Sequence, residues 1–176
     1  MQYTLYDASI RVAQDSLNTL TAILKKGEAH PNAAKLPEAR IYDDMLPLTF
    51  QIHIVTDLAQ KMQARLTGKE PQKMENDLKT FKDMYARIDK VQEMLSKTDK
   101  DAINNYTTEK VPLGMGPGKE VQVSGLGYTN GYALPNLFFH VTTAYNIMRK
   151  EGVPLGKLDY LKPYLAPHVP GFEFPA

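Results

Sequence analysis

The segment 134–149, with the sequence LPNLFFHVTTAYNIMR, is the feature that most constrains the fold. It is strongly apolar and contains one histidine, His140. Pro135 is typical of the first turn of a helix, and Gly152 followed by Pro154 is typical of a helix end. We therefore predict a helix across this segment, and we expect any chemistry in it to centre on His140.

Three earlier segments have the apolar spacing of amphipathic helices. We predict helices over residues 4–26, from Asp43 or Asp44 to residue 66, and over residues 78–95. Residues 111–113 and 120–123 read as two short strands joined by a glycine-rich turn. The expected fold class is mainly α: a four-helix bundle with a small β-hairpin before the last helix and an extended, proline-rich C-terminal tail over residues 157–176. The side chains predicted to be buried are Leu48, Val55, Phe81, Ile88, Leu137, Phe138, Val141 and Met148.

Length and composition exclude several classes of protein. A chain of 176 residues with 43% hydrophobic residues suits one domain, 1–176, with a substantial core. Because 21 basic and 20 acidic residues are mixed along the chain, we expect neither nucleic acid nor a membrane as a partner. The absence of cysteine excludes disulfides and thiolate sites. Without a signal-like start or a long apolar run, we expect a soluble, cytoplasmic protein.

Polar residues of the second predicted helix approach the core at one end. A rotation of about 100° per residue puts Asp44 and Gln51 beside the apolar stripe, turns His53 outward and puts Asp57 nearly opposite. We therefore expect Asp44 and Gln51 to meet His140. Asp44 considered alone is more typical of a helix cap. The tyrosines expected near such a pocket are Tyr128, Tyr132 and Tyr145.

Three blocks of sequence together resemble an uncharacterised domain family of the DinB/YfiT-like superfamily of helical bundles. They are residues 26–30 (KGEAH), residues 39–48 (ARIYDDMLPL) and residues 139–145 (FHVTTAY). The resemblance implies a DinB-like four-helix bundle. It also implies a divalent metal, because many DinB-like relatives bind one through three histidines of the second and fourth helices. This sequence departs from that pattern, since its fourth helix has only His140, with Asn136 and Ala144 one turn away.

Nickel or zinc bound by imidazoles normally needs about three strong protein ligands, so we predict no metal cofactor. A mixed site of His140 and Asp44 with Gln51, Glu28 or His30 is the alternative. The predicted function is metal-independent acid/base chemistry on a small molecule, such as an isomerisation, elimination or cyclisation. In this prediction, His140 acts as the acid or base and is oriented by Asp44. Gln51, Tyr128, Tyr132 and Tyr145 contact the ligand.

Two other functions stay open. In the first, His140 is a structural histidine of a non-catalytic small-molecule-binding or dimeric interaction protein. In the second, the chain is a metal-dependent DinB-like transferase or hydrolase. The aromatic, proline-rich tail and the long apolar stripes also predict a homodimer.

Overall fold

Four long helices form most of the fold. The computed structural model describes residues 3–174. The long helices are α1 (Val12–Glu28), α2 (Leu48–Arg65), α3 (Phe81–Ser96) and α6 (Leu134–Lys150). Shorter helices are α4 (Lys100–Asn105), α5 (Gly125–Tyr128) and α7 (Lys157–Leu165), and the strands are β1 (Lys110–Gly114) and β2 (Glu120–Ser124). The mainly α bundle with a small hairpin before its last helix is confirmed. No helix in residues 3–174 is long and apolar enough to cross a membrane.

Helix α2 lies at the centre of the molecule. It packs against α3 on one side and against α6 on the other, so its side chains are buried almost all the way round. The buried set includes polar residues as well as apolar ones. Of the side chains predicted to be buried, all are buried except Phe138, which is 36% exposed on the outer face of α6, next to Phe139 at 59%. The prediction for Phe138 was therefore wrong.

Helix α2 begins later than predicted. Asp43 and Asp44 lie in a turn, both exposed, and no side chain of residues 3–174 caps the helix. A start at Asp43 or Asp44 would require Leu46 to adopt the α conformation, which the following Pro47 disfavours. The helix therefore starts after Pro47, and the cap predicted at Asp44 was wrong. Helix α3 does have a capping box, formed by Thr80 and Asp83.

The hairpin forms where the sequence predicted it, with each strand slightly longer. Lys110 pairs with Ser124 and Gly114 with Glu120 at its two ends. Val111 and Leu113 of β1 are buried, so one face of the hairpin packs on the helices. Two glycines of the turn, Gly116 and Gly118, have φ values of 110° and 67°, which side-chain-bearing residues rarely adopt.

The last long helix also begins earlier than predicted. Residues 125–150 form one helical stretch, in which a π-helical turn, Thr129–Ala133, joins α5 to α6. Pro135 has no N–H to give to the carbonyl of Gly131, which favours a widened turn just before it. Gly125 is required at the start of the stretch because a Cβ there would collide with the main-chain oxygen of Tyr106.

The C-terminal tail was predicted to be extended, and that prediction was wrong for residues 157–165. They form α7, which packs against α1. Asp159 stabilises the first turn by accepting the Gly156 N–H at 2.7 Å, and it pairs with Lys26 of α1 at 2.7 Å. Pro163 removes only the bond that its own N–H would give to the main-chain oxygen of Asp159, and α7 continues through it to Leu165. The last two residues of the tail lie outside the described residues.

Candidate functional site

A cavity of about 310 Å³ lies between α2 and α6, with the tip of β1 along one wall. Helix α2 lines it with Phe50, Ile54, Asp57, Leu58, Lys61 and Arg65. The π-helical turn, α6 and β1 add Tyr132, Asn136, His140, Leu113 and Gly114. Titratable side chains and apolar ones therefore share one wall, as in small-molecule sites.

Gln51, on the first turn of α2, holds the ring of His140. The Oε1 atom of Gln51 lies 2.7 Å from Nδ1 of His140. The amide nitrogen of the same side chain donates to the main-chain oxygens of Leu46, at 2.9 Å, and of Pro47, at 3.4 Å. Because the NH₂ group is used in this way, the oxygen of Gln51 faces the histidine and accepts a hydrogen bond from it.

This contact fixes the tautomer of His140. A neutral imidazole carries one proton, and the bond to Gln51 places it on Nδ1, so Nε2 keeps its lone pair. Within residues 3–174, Nε2 makes no hydrogen bond. Burial lowers the pKa of His140 below its ordinary value of 6.5, which favours the neutral ring at neutral pH. The arrangement leaves a neutral nitrogen base in the wall of the cavity.

The charges on α2 differ in how far they are compensated. Both oxygens of Asp57 are engaged, Oδ1 by the amide of Gln60 at 3.2 Å and Oδ2 by Lys61. Arg65 has no ion pair within the described part of the chain, and its Nη1 donates to the hydroxyl of Tyr128 at 3.2 Å. Asp57 and Lys61 thus neutralise each other, while Arg65 keeps its charge.

A second histidine, His53, lies on the other side of α2. It is 8% exposed, and its Nδ1 lies 3.4 Å from Nη1 of Arg87 on α3. Arg87 in turn donates from Nη2 to Asp77, at 2.7 Å, and to the main-chain oxygen of Glu75, at 3.0 Å. The prediction that His53 points to solvent was wrong, because α2 is buried on the α3 side as well.

The structure brings together only some of the residues predicted for the site. His140 and Tyr132 line the cavity, Gln51 is bonded to His140 without lining it, and Tyr128 is fully buried and bonded to Arg65. Asp44 is exposed in the turn before α2, and no hydrogen bond joins it to His140 within residues 3–174. The predicted pair of His140 and Asp44 is therefore replaced by His140 and Gln51.

Three other residues predicted near His140 lie elsewhere. Tyr145 donates to the main-chain oxygen of Leu155 at 3.3 Å and does not line the cavity. Glu28 accepts from Tyr85 at 3.1 Å, and Nδ1 of His30 accepts the N–H of Asn32 at 3.3 Å. Neither Glu28 nor His30 lines the cavity.

Sequence reasoning missed Asp57, Lys61 and Arg65 as cavity residues. Their spacing of four residues does indicate one face of a helix. That face differs from the main apolar stripe of α2. It was missed because the prediction assumed that a helix has one inner face, the face of its main apolar stripe. A helix packed on two sides has two inner faces, so the second, mixed face could have been recognised from Phe50, Ile54 and Leu58 within it.

The donor atoms do not fit the three-histidine metal site that the resemblance implies. Among residues 3–174, no three histidine or acidic side chains converge on one point. Asn136 and Ala144 occupy the positions one turn from His140, and the carboxylate of Asp57 is bound by Lys61 and Gln60. We therefore derive no chemical step through a metal.

A larger cavity, of about 520 Å³, lies beside residues 3–8, which precede α1, and beside the π-helical turn Thr129–Ala133. Its described lining is made of apolar, hydroxyl and amide side chains, with no histidine, acidic or basic residue among them. The smaller cavity is the better candidate because it combines a neutral base with a free positive charge.

Comparison with known proteins agrees with the fold. The sequence profile described as "Domain of unknown function (DUF1993)" matches residues 5–161. The crystal structure of a DinB family member protein from Shewanella denitrificans is similar, with a TM-score of 0.82 and 30% sequence identity over 97% of this chain and 96% of that one. No curated protein matches the sequence. The chain belongs to the DUF1993 family, a DinB-like family of helical proteins whose function is unknown.

Proposed function

We propose that this protein binds a small organic molecule in the cavity between α2 and α6 and moves a proton on it with His140, without a metal. The observation that carries the proposal is the bond from Nδ1 of His140 to Gln51, which leaves the lone pair on Nε2. A fixed, neutral imidazole beside a cavity of about 310 Å³ is the arrangement that a general base needs.

The proposed chemistry is a proton transfer that returns the enzyme to its starting state. Nε2 of His140 takes a proton from the bound molecule, and the imidazolium keeps its Nδ1–H bond to Gln51, which strengthens as the ring becomes charged. The imidazolium then gives the proton back at another atom of the same molecule. An isomerisation, an elimination or a cyclisation fits this cycle, because none of them needs a second substrate.

The neighbouring polar groups support binding of a polar ligand. Tyr132 and Asn136 line the same wall as His140, and neither side chain has a hydrogen-bond partner within residues 3–174. The apolar side chains Phe50, Ile54 and Leu58 complete the α2 wall. A molecule with an apolar body and a few polar atoms would use both kinds of surface.

Native mass spectrometry of protein purified from its own host tests the proposal by identifying a retained small molecule. Turnover of that molecule is then measured for the wild type, His140→Gln and the matched control His53→Gln. We expect His140→Gln to lower turnover by roughly 100-fold to 10,000-fold, the usual range for a general base. His53→Gln should retain turnover. Turnover unchanged in His140→Gln would retire the proposal, and retention without any conversion would favour a non-catalytic binding protein.

A further inference from the structure

Arg65, which lines the cavity between α2 and α6 and a second one of about 480 Å³ beside the hairpin, has unused hydrogen-bond donors. A guanidinium carries five N–H donors, and Arg65 uses one of them, on the hydroxyl of Tyr128 at 3.2 Å. Its Nε–H is buried without a hydrogen-bond partner among residues 3–174. By contrast, Arg87 binds His53, Asp77 and a main-chain oxygen. Arg65 is therefore an incompletely bonded cation, whereas Arg87, the other half-buried arginine beside α2, is satisfied.

The charge of Arg65 is the only full charge of the described cavity wall that no neighbour cancels. Lys61 forms an ion pair with Asp57, and burial keeps the ring of His140 neutral. The wall consequently has a net positive charge, located at the end of α2. An oxyanion is the ligand group that this charge and a guanidinium fork bind best.

Tyr128 holds the guanidinium in place. The Cζ atom of Arg65 lies 5.3 Å from the centroid of the Tyr128 ring, and Tyr128 is fully buried. The ring of Tyr132 packs against that of Tyr128, with 5.9 Å between their centroids. A cation held against a buried ring loses little freedom when it binds an anion, so the binding site is organised in advance.

Arg65 and His140 stand at opposite ends of the cavity. His140 is level with Gln51 at the start of α2, and Arg65 is at the end of the same helix. The fourteen residues between positions 51 and 65 correspond to about 21 Å of helix at 1.5 Å per residue. One ligand that contacts both side chains must therefore be elongated.

We infer that the cavity takes an elongated organic anion, whose carboxylate or phosphate group binds Arg65 while its other end reaches His140. The inference deepens the proposed function and rests on it for the role of His140. It adds the chemical class of the ligand and the direction in which the ligand lies.

An NMR titration tests the inference with octanoate, octyl phosphate and the neutral analogue octanamide. Binding of these eight-carbon probes, which are too short to span the cavity, is followed at the Nε–H of Arg65. Hexadecanoate, whose extended chain is about 20 Å long, is followed at the imidazole of His140 as well. We expect at least one anion to bind about ten times more tightly than octanamide, an advantage typical of a charge-assisted bond. Whichever anion binds more tightly identifies the head group. Equal binding of octanamide and both anions, no shift at Arg65 with any probe, or no shift at His140 with hexadecanoate would overturn the inference.

Variants separate the charge from the fold. Arg65→Gln should remove the preference for the anion without changing octanamide binding. The control Lys82→Gln removes the same charge at an exposed position of α3 and should keep the preference for the anion. Arg65→Lys retains the charge but loses the fork, so we expect an intermediate preference. If Arg65→Gln binds the anion as the wild type does, the inference fails. The turnover of His140→Gln is a separate measurement, so failure of the proposed function would be seen independently.

Discussion

One histidine and one arginine stand on each side of α2, and the two sides differ in how completely these groups are bonded. Towards α3, His53 contacts Arg87, which is itself held by Asp77 and a main-chain oxygen. Towards α6, His140 has a hydrogen bond only with the neutral Gln51, and Arg65 has one only with Tyr128, within the described residues. The ring of Phe50 lies between the two histidines, with centroids 6.1 Å from His53 and 6.4 Å from His140.

The comparison separates a structural use of these residues from a functional one. Buried polar groups normally find partners within the protein, as His53 and Arg87 do. Groups left with free donors or acceptors beside a cavity are candidates for binding something from outside. The residue types are the same on both sides of α2, so the identity of a side chain alone does not indicate its role.

The largest expected effect is a difference in stability between two alanine variants. His53→Ala should lower the free energy of unfolding by about 2–3 kcal/mol, because it opens a closed cavity and removes a bond to Arg87. His140→Ala should cost about 1 kcal/mol or less, because water in the existing cavity can hydrate Gln51. Urea denaturation measures both. Asp44→Ala is the exposed control and should change stability by less than about 0.5 kcal/mol. Equal losses for the two histidines would abolish the distinction between the two sides.

A smaller effect is expected on the pH dependence of stability. Burial is the main cause that lowers the pKa of His53 and the only one resolved for His140. The neutral rings therefore stabilise the fold fully above the ordinary pKa of about 6.5, and this stability is lost as the pH falls towards the lowered values. Each histidine contributes a slope no steeper than about 1.4 kcal/mol per pH unit.

Urea midpoints between pH 5 and pH 8 check this expectation. His53→Gln and His140→Gln should each reduce the loss of stability between pH 8 and pH 5, and the double variant should reduce it most. A ligand that binds Nε2 of His140 should alter only the part of this pH dependence that comes from His140. A wild-type stability that rises as the pH falls from 7 to 5 would contradict both assignments.

The smallest effect is the position of one proton on each ring. A guanidinium can only donate, so Nδ1 of His53 accepts from Arg87 and Nε2 carries the proton. His140 should be the opposite tautomer, with the proton on Nδ1, which donates to Gln51. Nitrogen-15 NMR of the imidazoles at pH 8 distinguishes the two forms. Gln51→Leu should abolish the preference of His140 for the Nδ1-protonated tautomer and leave the tautomer of His53 unchanged. The same tautomer on both rings would contradict the opposite hydrogen-bonding roles assigned to His53 and His140.

The fold was more predictable from the sequence than the candidate site. Helix α3, with its apolar spacing, and the hairpin, with its glycine turn, depend on local rules and appear where those rules put them. His140 and Gln51 were also expected to meet. The partner predicted for His140 was Asp44, however, because the start of α2 was placed before Pro47 rather than after it.

The remaining site residues depend on packing that no local pattern records. Asp57, Lys61 and Arg65 became cavity residues because α2 packs on two sides, and a single amphipathic stripe cannot indicate the second side. Tyr128 was placed before the last helix, because nothing in the periodicity indicates a π-helical turn. Pro135 favours that turn, and the helical stretch that contains it starts at Gly125, which closely approaches Tyr106.

The π-helical turn Thr129–Ala133 also constrains how the length of this chain can vary. Such a turn accommodates the equivalent of one extra residue, so a deletion within it would restore a regular helix. The shorter helix would be rotated by about 100° on the N-terminal side of the deletion. Tyr128 would then leave Arg65, and the hairpin would move away from the cavity. Substitutions of the exposed Asn130 and Gly131 should therefore be tolerated among relatives that keep the cavity, whereas insertions and deletions within residues 129–133 should not.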